Sequence, residues 1–446
     1  MARQSLCLSA LPLELFDMVM MELDTIRDLA NFVSTTRFAY QRFIIQRRTI
    51  LFRVLENELG PALPDARFLL VFSASSISDQ TRDDKCEKYW DWIHVMGGVY
   101  RGMLPQNELP PNMRNDARAD PGLPRIDELI SLCRTLHHVN FLTDTYIATQ
   151  LGFFSLAGGD GTPATAPPSR PERQRIMRAF YRRQIVSNAW APTRHSLPGR
   201  DWGGDFVALL ETRTDPGRRL GLLASLGPWE LQLVDHVDHF IMRLGRAIVH
   251  RAAEAAAQGR GDEIAAAHVK YPNLDLACLV RYLRLYPDVA AAATDDLQAE
   301  REPPAGDEDE FSELGEYLYP FEVCWYECLW EVFDLETDRT VQEWFWISDV
   351  VVRDRLDQVP YGWSDAMAGR YGPCYGRGLH RVSPWPPRVD FGESEERHFF
   401  RIELWRLAGF ALWDQKRIEA LKKLKRFENL KTGFVTFDMP ECTAAS

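Results

Sequence analysis

The sequence predicts a mainly α-helical protein, with a three-helix module at residues 1–60 and an irregular helical domain at residues 61–446. Apolar residues recur at the three- and four-residue spacing of helices through most of the chain. Glycine- and proline-rich stretches separate these segments and predict long loops at about 102–124, 157–172, 295–313 and 361–391. With 46% hydrophobic and 11% aromatic residues, the chain has enough apolar side chains for sizeable cores.

The first predicted helix begins near Pro12 and is unusually apolar. Eight of the eleven residues from Leu13 to Leu23 are apolar, so the apolar surface covers more than half of the helix circumference. Leu11-Pro12 favours an extended residue followed by a helix start, because proline is tolerated in the first helical turn. A helix this short cannot bury two faces internally. Either a larger core or another protein must cover the second face.

Two further helices complete the predicted module. Thr25 followed by Asp28 has the spacing of a capping box, and the next apolar residues, Ile26, Leu29, Ala30 and Val33, share a helical face. A third helix starts at about Thr36 and ends at Gly60-Pro61, a glycine C-cap followed by a helix breaker. These start and stop signals predict three helices within about fifty residues.

The order and spacing of several residues in this module resemble an F-box. The resemblance rests on Leu11-Pro12-Leu13-Glu14-Leu15, Val19, Leu23-Asp24, Asp28-Leu29, Val33 and the stretch from Ser34 to Tyr40. Many F-boxes carry a tryptophan after this stretch, where the present sequence has Phe38 and Tyr40. Two segments of the remaining chain, Leu404 to Asp414 and Arg178 to Tyr181 ahead of Pro228-Trp229-Glu230, resemble large fungal F-box-like proteins.

The resemblance implies partners and no reaction. F-boxes dock on a Skp-type adaptor and, through it, on a cullin, so the helical domain is expected to hold an unknown protein target for a ubiquitin ligase. The expected adaptor contacts are Leu11, Pro12, Glu14, Leu15, Val19, Leu23, Asp28, Leu29, Val33 and Phe38. The chain itself is expected to be a non-catalytic subunit.

Charge and cysteine usage narrow the functional classes. A net charge of −12 argues against broad nucleic-acid binding, which needs a cationic surface. Much of the negative charge is local, since residues 295–313 carry nine acids and one arginine.

The eight cysteines include no CxxC pair, which favours a reducing compartment. No apolar run reaches the roughly eighteen residues of a membrane span, so we expect a cytoplasmic or nuclear protein without membrane attachment.

The remaining helices follow from apolar periodicity. Two buried helices are predicted between residues 65 and 100, and another begins at Ile126. A long helix is predicted from Pro228 to about residue 258. A helix from Leu274 to Tyr286 and a last long helix from about Glu396 to Lys431 complete the pattern.

A basic amphipathic segment follows the 157–172 loop. Its arginines alternate with apolar residues and comprise Arg173, Arg175, Arg178, Arg182 and Arg183. They could form a face for an acidic partner or RNA. The alternative, favoured by the negative total charge, is that they lie along one side of a core helix and pair with carboxylates elsewhere.

No residue pattern gives a cofactor or metal site. Asp235 and His239 stand four apart on a predicted helix, which permits an ion pair or two metal ligands, but the HExxH spacing is absent. A solvated polar face is expected for this segment. His137-His138, Cys86 with His94, and Cys324 with Cys328 are expected to be packing or surface residues. Phosphate-binding glycine loops and serine-nucleophile motifs are also absent from the sequence.

Two other functions stay open on sequence grounds. The first is a ligase-independent scaffold or regulatory interaction protein that retains an F-box-like fold. The second is an unrecognised enzyme, which would need a site combining His236, His239 and nearby carboxylates.

Overall fold

A computed structural model describes residues 11–71, 123–190, 276–285 and 408–424, together with part of 233–248. Of these residues 83% are helical and none lies in a β-strand, which confirms the mainly α fold. The predicted loops at 295–313 and 361–391, and all but the last residues of the 102–124 loop, lie outside the described residues. The same holds for the predicted helix around Tyr89 and for the Cys86–His94 and Cys324–Cys328 pairs.

The N-terminal module forms three helices, as predicted: α1 (Leu13–Met21), α2 (Ile26–Thr35) and α3 (Arg37–Leu59). Thr25 is the N-cap of α2, and its hydroxyl oxygen accepts a hydrogen bond from the Asp28 N–H at 3.0 Å. Thr36 caps α3 in the same way through the Ala39 N–H. These side chains satisfy backbone donors that have no partner within the helix, and so fix where each helix begins.

Helix α3 connects two apolar clusters. Its first half packs with α1 and α2 around a small cluster that includes Phe16, Met20 and Leu29. Beyond a kink at Gln46, its last turns place Leu55 and Leu59 in the larger core. The helix ends where Gly60 adopts φ +51°, a value that a residue without a Cβ reaches at little cost. The module is therefore continuous with the body of the protein.

The larger core is built on four more helices. They are α4 (Leu63–Val71), α5 (Ile126–Phe154), α6 (Arg170–Trp190) and α7 (Leu276–Leu285). The described positions between 233 and 248 are also helical, in agreement with the predicted long helix there. Buried aromatic residues connect these elements. Tyr146 on α5 packs edge-on against Phe240 at 5.0 Å between ring centroids.

Three arginines of α6 pair with buried carboxylates. Arg183, whose side chain is fully buried, donates to Asp238 at 2.9 Å. Asp65 on α4 accepts from both Arg178 and Arg182, at 3.0 and 3.1 Å. These ion pairs confirm the internal-pairing alternative for the basic segment. They also link α6 to its neighbours through groups that would be costly to leave unpaired.

The glycine- and proline-rich segment after α5 is a loop, as predicted, but it is shorter than 157–172 and contributes to the core. A π-helical turn, Ser155–Gly159, follows α5, and α6 begins at Arg170, earlier than expected. Ala164, between these two elements, is completely buried in the larger core. The loop carbonyls accept hydrogen bonds from Arg417, which lies about 250 residues later in the chain.

The predicted continuous helix from residue 396 to 431 is also wrong within the described part, 408–424. Gly409 has a left-handed backbone (φ +64°), a 3-10 turn follows at Phe410–Leu412, and α8 comprises only Gln415–Leu421. A Cβ at Gly409 would collide with the Tyr146 hydroxyl. The turn buries Trp413 in the core and stacks it beside Tyr146, a contact that a straight helix would not make.

Glu58 joins the module to the body. Its carboxylate accepts hydrogen bonds from the Ile26 N–H at 2.7 Å and from the Asn140 side-chain amide at 2.6 Å. It thereby contacts the start of α2 and the middle of α5 at once. Burial raises the pKa of this carboxyl above its usual 4.5, although both hydrogen bonds act in the opposite direction.

The raised pKa of Glu58 predicts a pH-dependent stability. The folded state holds this proton more tightly than the unfolded chain does, so the contribution is complete below the unfolded pKa and is lost as pH rises through the folded pKa. We expect the unfolding free energy of the wild type, minus that of Glu58→Gln, to fall as the pH is raised from below 4.5, the usual pKa of the carboxyl, through its higher folded pKa. Urea titrations across this range measure that difference. A difference that stays constant with pH would contradict the assignment.

Candidate docking surface of the N-terminal helices

Helix α1 presents one face to the module core and another to solvent. Phe16 and Met20 are buried, and Phe16 packs against the rings of Phe32 (5.5 Å) and Phe38 (4.9 Å). On the outer side, Leu15 and Met18 keep 47% and 55% of their surface exposed. The second apolar face expected from the sequence therefore exists, and no other described residue covers it.

A buried ion pair fixes α1 against α3. Asp17, 4% exposed, accepts hydrogen bonds from Arg42 Nε at 2.7 Å, Arg42 Nη2 at 2.5 Å and Gln46 Nε2 at 2.9 Å. The hydrogen bond with Asp17 raises the pKa of the Arg42 guanidinium, against the opposing effect of desolvation. This bidentate geometry fixes the orientation of α1 relative to α3. At the other end, the Asn57 side chain donates to the Met21 and Leu23 carbonyls, which holds the end of α1.

The residues predicted to contact a partner fall into three groups by exposure. Pro12, Glu14, Leu15 and Asp28 are exposed. Leu11, Val19, Leu23 and Phe38 are half-buried. Leu29 and Val33 are buried at 2% and 9%, so their side chains support the surface from inside and do not form part of it. Pro12 is the N-cap of α1, and its carbonyl accepts from the Phe16 N–H at 3.0 Å.

The structure adds exposed apolar residues that were not among the predicted contacts. On α1 these are Leu13 (45%) and Met18 (55%), and on α3 they are Tyr40 (55%), Ile44 (43%) and Ile45 (70%). Helix α3 is apolar on several sides near residues 38–45, so the sequence alone does not say which side faces the core. Only packing against α1 and α2 decides this.

In the histidine and aspartate cluster at 235–239, the two polar residues that the structure describes are buried, so for them the expected solvated face is wrong. His236 and Asp238 are 3% and 5% exposed, and Asp238 pairs with Arg183. His236 packs edge-on against Phe410 at 5.3 Å. Asp235 and His239 lie outside the described residues. Among the described residues, no group of three or more histidine, cysteine or acidic side chains has the geometry of a metal site.

Comparison with known proteins gives no relative: no family model, no curated protein and no solved structure matches this chain. Within the described residues, no helix has the length and apolar character needed to cross a membrane.

Proposed function

We propose that the chain is a substrate-recruiting subunit of a Skp-cullin-F-box ubiquitin ligase. The N-terminal module would dock on a Skp-type adaptor, and the helical body would hold a protein target. The observation that carries this proposal is the exposed outer face of α1. Leu15 and Met18 remain accessible although the module core beneath them is already closed by Phe16 and Met20.

Two features support a docking role for this face. Large apolar side chains grouped on a surface and rimmed by polar residues are typical of interaction sites. Here Glu14 and Glu22 lie beside Leu15 and Met18 and are themselves exposed. In addition, the Asp17–Arg42 pair and the Asn57 cap hold α1 in place, so little ordering is needed when a partner binds.

Continuity between the module and the body supports a rigid ligase subunit. Because α3 ends within the larger core, a partner bound at α1 would be held at a fixed orientation relative to the helical body. The same continuity favours the alternative, a ligase-independent scaffold in which the module is a folding unit. The two differ in one measurable respect, since only the ligase subunit requires an adaptor on the α1 face.

The test replaces two exposed residues of α1 by charged ones. Leu15→Glu combined with Met18→Glu should lower association with a co-expressed Skp-type adaptor by at least about tenfold, because carboxylates would be buried in an apolar contact. Replacing Leu11 and Pro12 by alanine should abolish association. Association is measured by co-purification and titration calorimetry on the full chain. Deleting residues 1–60 is a poorer test, because it removes Leu55 and Leu59 from the larger core.

The matched control is Leu156→Glu. Leu156 is 60% exposed and lies in the π-helical turn after α5, so the substitution has the same chemistry at another place. It should leave association unchanged. If the wild-type chain folds but does not bind the adaptor, or if the α1 variant binds as tightly as the control, the scaffold function takes precedence.

A further inference from the structure

Helix α3 carries a second exposed stripe, distinct from the α1 face. Arg37, Tyr40 and Ile44 follow one another at intervals of three and four residues, the spacing of one helix side, and Arg47 comes directly after the kink at Gln46. All four are exposed, with Tyr40 at 55% and Ile44 at 43%. Ile45, next to the stripe, is 70% exposed. The stripe thus has an apolar centre between two cationic ends.

Helix α3 is positively charged around this stripe, whereas the chain as a whole is negatively charged. From residue 37 to 55, α3 contains five arginines and no acid, although the whole chain has a net charge of −12. Arg42 is paired with Asp17, Arg48 donates to the carbonyls of Leu123 and Pro124, and Arg53 pairs with Glu56. Arg37 and Arg47 have no carboxylate partner among the described residues.

We propose that this stripe of α3 binds an acidic amphipathic helix of a protein partner. Such a helix would place apolar side chains against Tyr40 and Ile44 while its carboxylates meet the guanidinium groups of Arg37 and Arg47. Arg37 and Arg47, which have no carboxylate partner in the part of the chain that the structure describes, are about 15 Å apart along the helix and fit a short peptide segment. They are too few for the extended phosphate contacts of nucleic acid. The proposal concerns α3 alone and does not depend on adaptor binding at α1.

A pair of synthetic peptides tests the proposal on the full chain. The first is a helical peptide of about 18 residues with leucines on one side and glutamates flanking them. The second has lysine at every glutamate position. Fluorescence anisotropy should show binding of the glutamate peptide that weakens as salt is raised from 0.05 to 0.2 M, and at least about tenfold weaker binding of the lysine peptide.

Charge reversal of the stripe gives the sharper result. In Arg37→Glu/Arg47→Glu the preference should invert, so that the lysine peptide binds better than the glutamate peptide. The matched control is Arg27→Glu/Arg134→Glu, which reverses two exposed arginines elsewhere, on α2 and α5, with the same change in net charge. It should keep the wild-type preference. Circular dichroism checks that all variants fold.

Several outcomes would overturn the proposal. Equal binding of both peptides would indicate non-specific apolar contact. An unchanged preference in the Arg37→Glu/Arg47→Glu variant would place the acidic-peptide site elsewhere. Binding of the wild type to vesicles containing anionic lipid, with no binding of the glutamate peptide, would identify the stripe as a membrane contact. Loss of adaptor binding in the α1 variant alone would leave the proposal intact, because the two surfaces are altered by different substitutions.

Discussion

Replacing Arg417 by methionine is expected to lower the unfolding free energy by about 3–5 kcal/mol, because it removes one member of a buried ion pair. Arg417 and Glu172 are 3% and 2% exposed. Two guanidinium nitrogens donate to the Glu172 carboxylate, each at 3.1 Å. The same guanidinium donates to the carbonyls of Ala164, at 2.5 Å, and Ala166, at 2.9 Å. Methionine would remove the cation that faces the buried Glu172 carboxylate, which would keep only the Ser169 and Asp414 N–H donors, and would leave these carbonyls without the guanidinium.

Urea denaturation of the full chain measures this loss, and Lys416→Met is its control. Lys416 is the exposed neighbour of Arg417 on α8, so its replacement should change stability by no more than about 0.5 kcal/mol. Adding Glu172→Gln to Arg417→Met should recover part of the loss, because the unpaired charge is then removed. If Arg417→Met lowers the unfolding free energy no more than Lys416→Met does, the hydrogen bonds from Arg417 to the 160–169 loop do not contribute to stability.

Phe16→Ala is expected to destabilise the N-terminal module by about 3–5 kcal/mol, the usual cost of removing a buried phenylalanine side chain. Phe16 is 2% exposed and lies between the rings of Phe32 and Phe38. Its removal would leave a cavity in the small cluster that α1, α2 and α3 share. Hydrogen exchange of the α1 and α2 amides, together with urea denaturation, locates and measures the effect.

Leu13→Ala provides the comparison for Phe16→Ala. Leu13 is on the same helix but 45% exposed, so truncation should cost a few tenths of a kcal/mol. If the two variants were equally destabilised, α1 would not be packed on α3 in the orientation described. Phe16→Ala should also weaken partner binding at α1 indirectly. Leu15→Glu/Met18→Glu, by contrast, should act on binding and leave stability unchanged.

The parts of the fold that could be predicted from the sequence depend on local interactions. Thr25 caps α2 through a residue three positions later, and Thr36 caps α3 in the same way. Gly60 ends α3 because its own backbone conformation favours glycine. Each signal involves atoms within four residues, so the sequence pattern contains all the information that is needed. That the α6 arginines pair with carboxylates was also predictable, since a strongly negative chain supplies many carboxylates. Which carboxylate each arginine meets was not predictable.

The candidate site was predictable only in part. The sequence indicates that α1 has more apolar side chains than one buried face can hold, and Leu15 is indeed exposed. It does not separate Leu29 and Val33, which are buried, from the residues that a partner could touch. Nor does it identify the exposed stripe on α3, because Phe38, Tyr40, Phe43, Ile44 and Ile45 are all apolar or aromatic. Which of them face inward depends on where α1 and α2 pack.

The sequence by itself determined the helical class, the starts of α1 to α3, the end of α3 and the presence of an apolar surplus on α1. The tertiary structure alone decided that Asp238 is paired inside the core, that the chain turns at Gly409 and that Arg417 holds the 160–169 loop. The physical reason is distance along the chain. Arg417 and Glu172 are 245 residues apart, and hydrogen bonds between such residues exist only after the intervening chain has folded. Apolar periodicity, which predicts a continuous helix through residue 409, gives way to the left-handed turn at Gly409, the burial of Trp413 and the Arg417 hydrogen bonds.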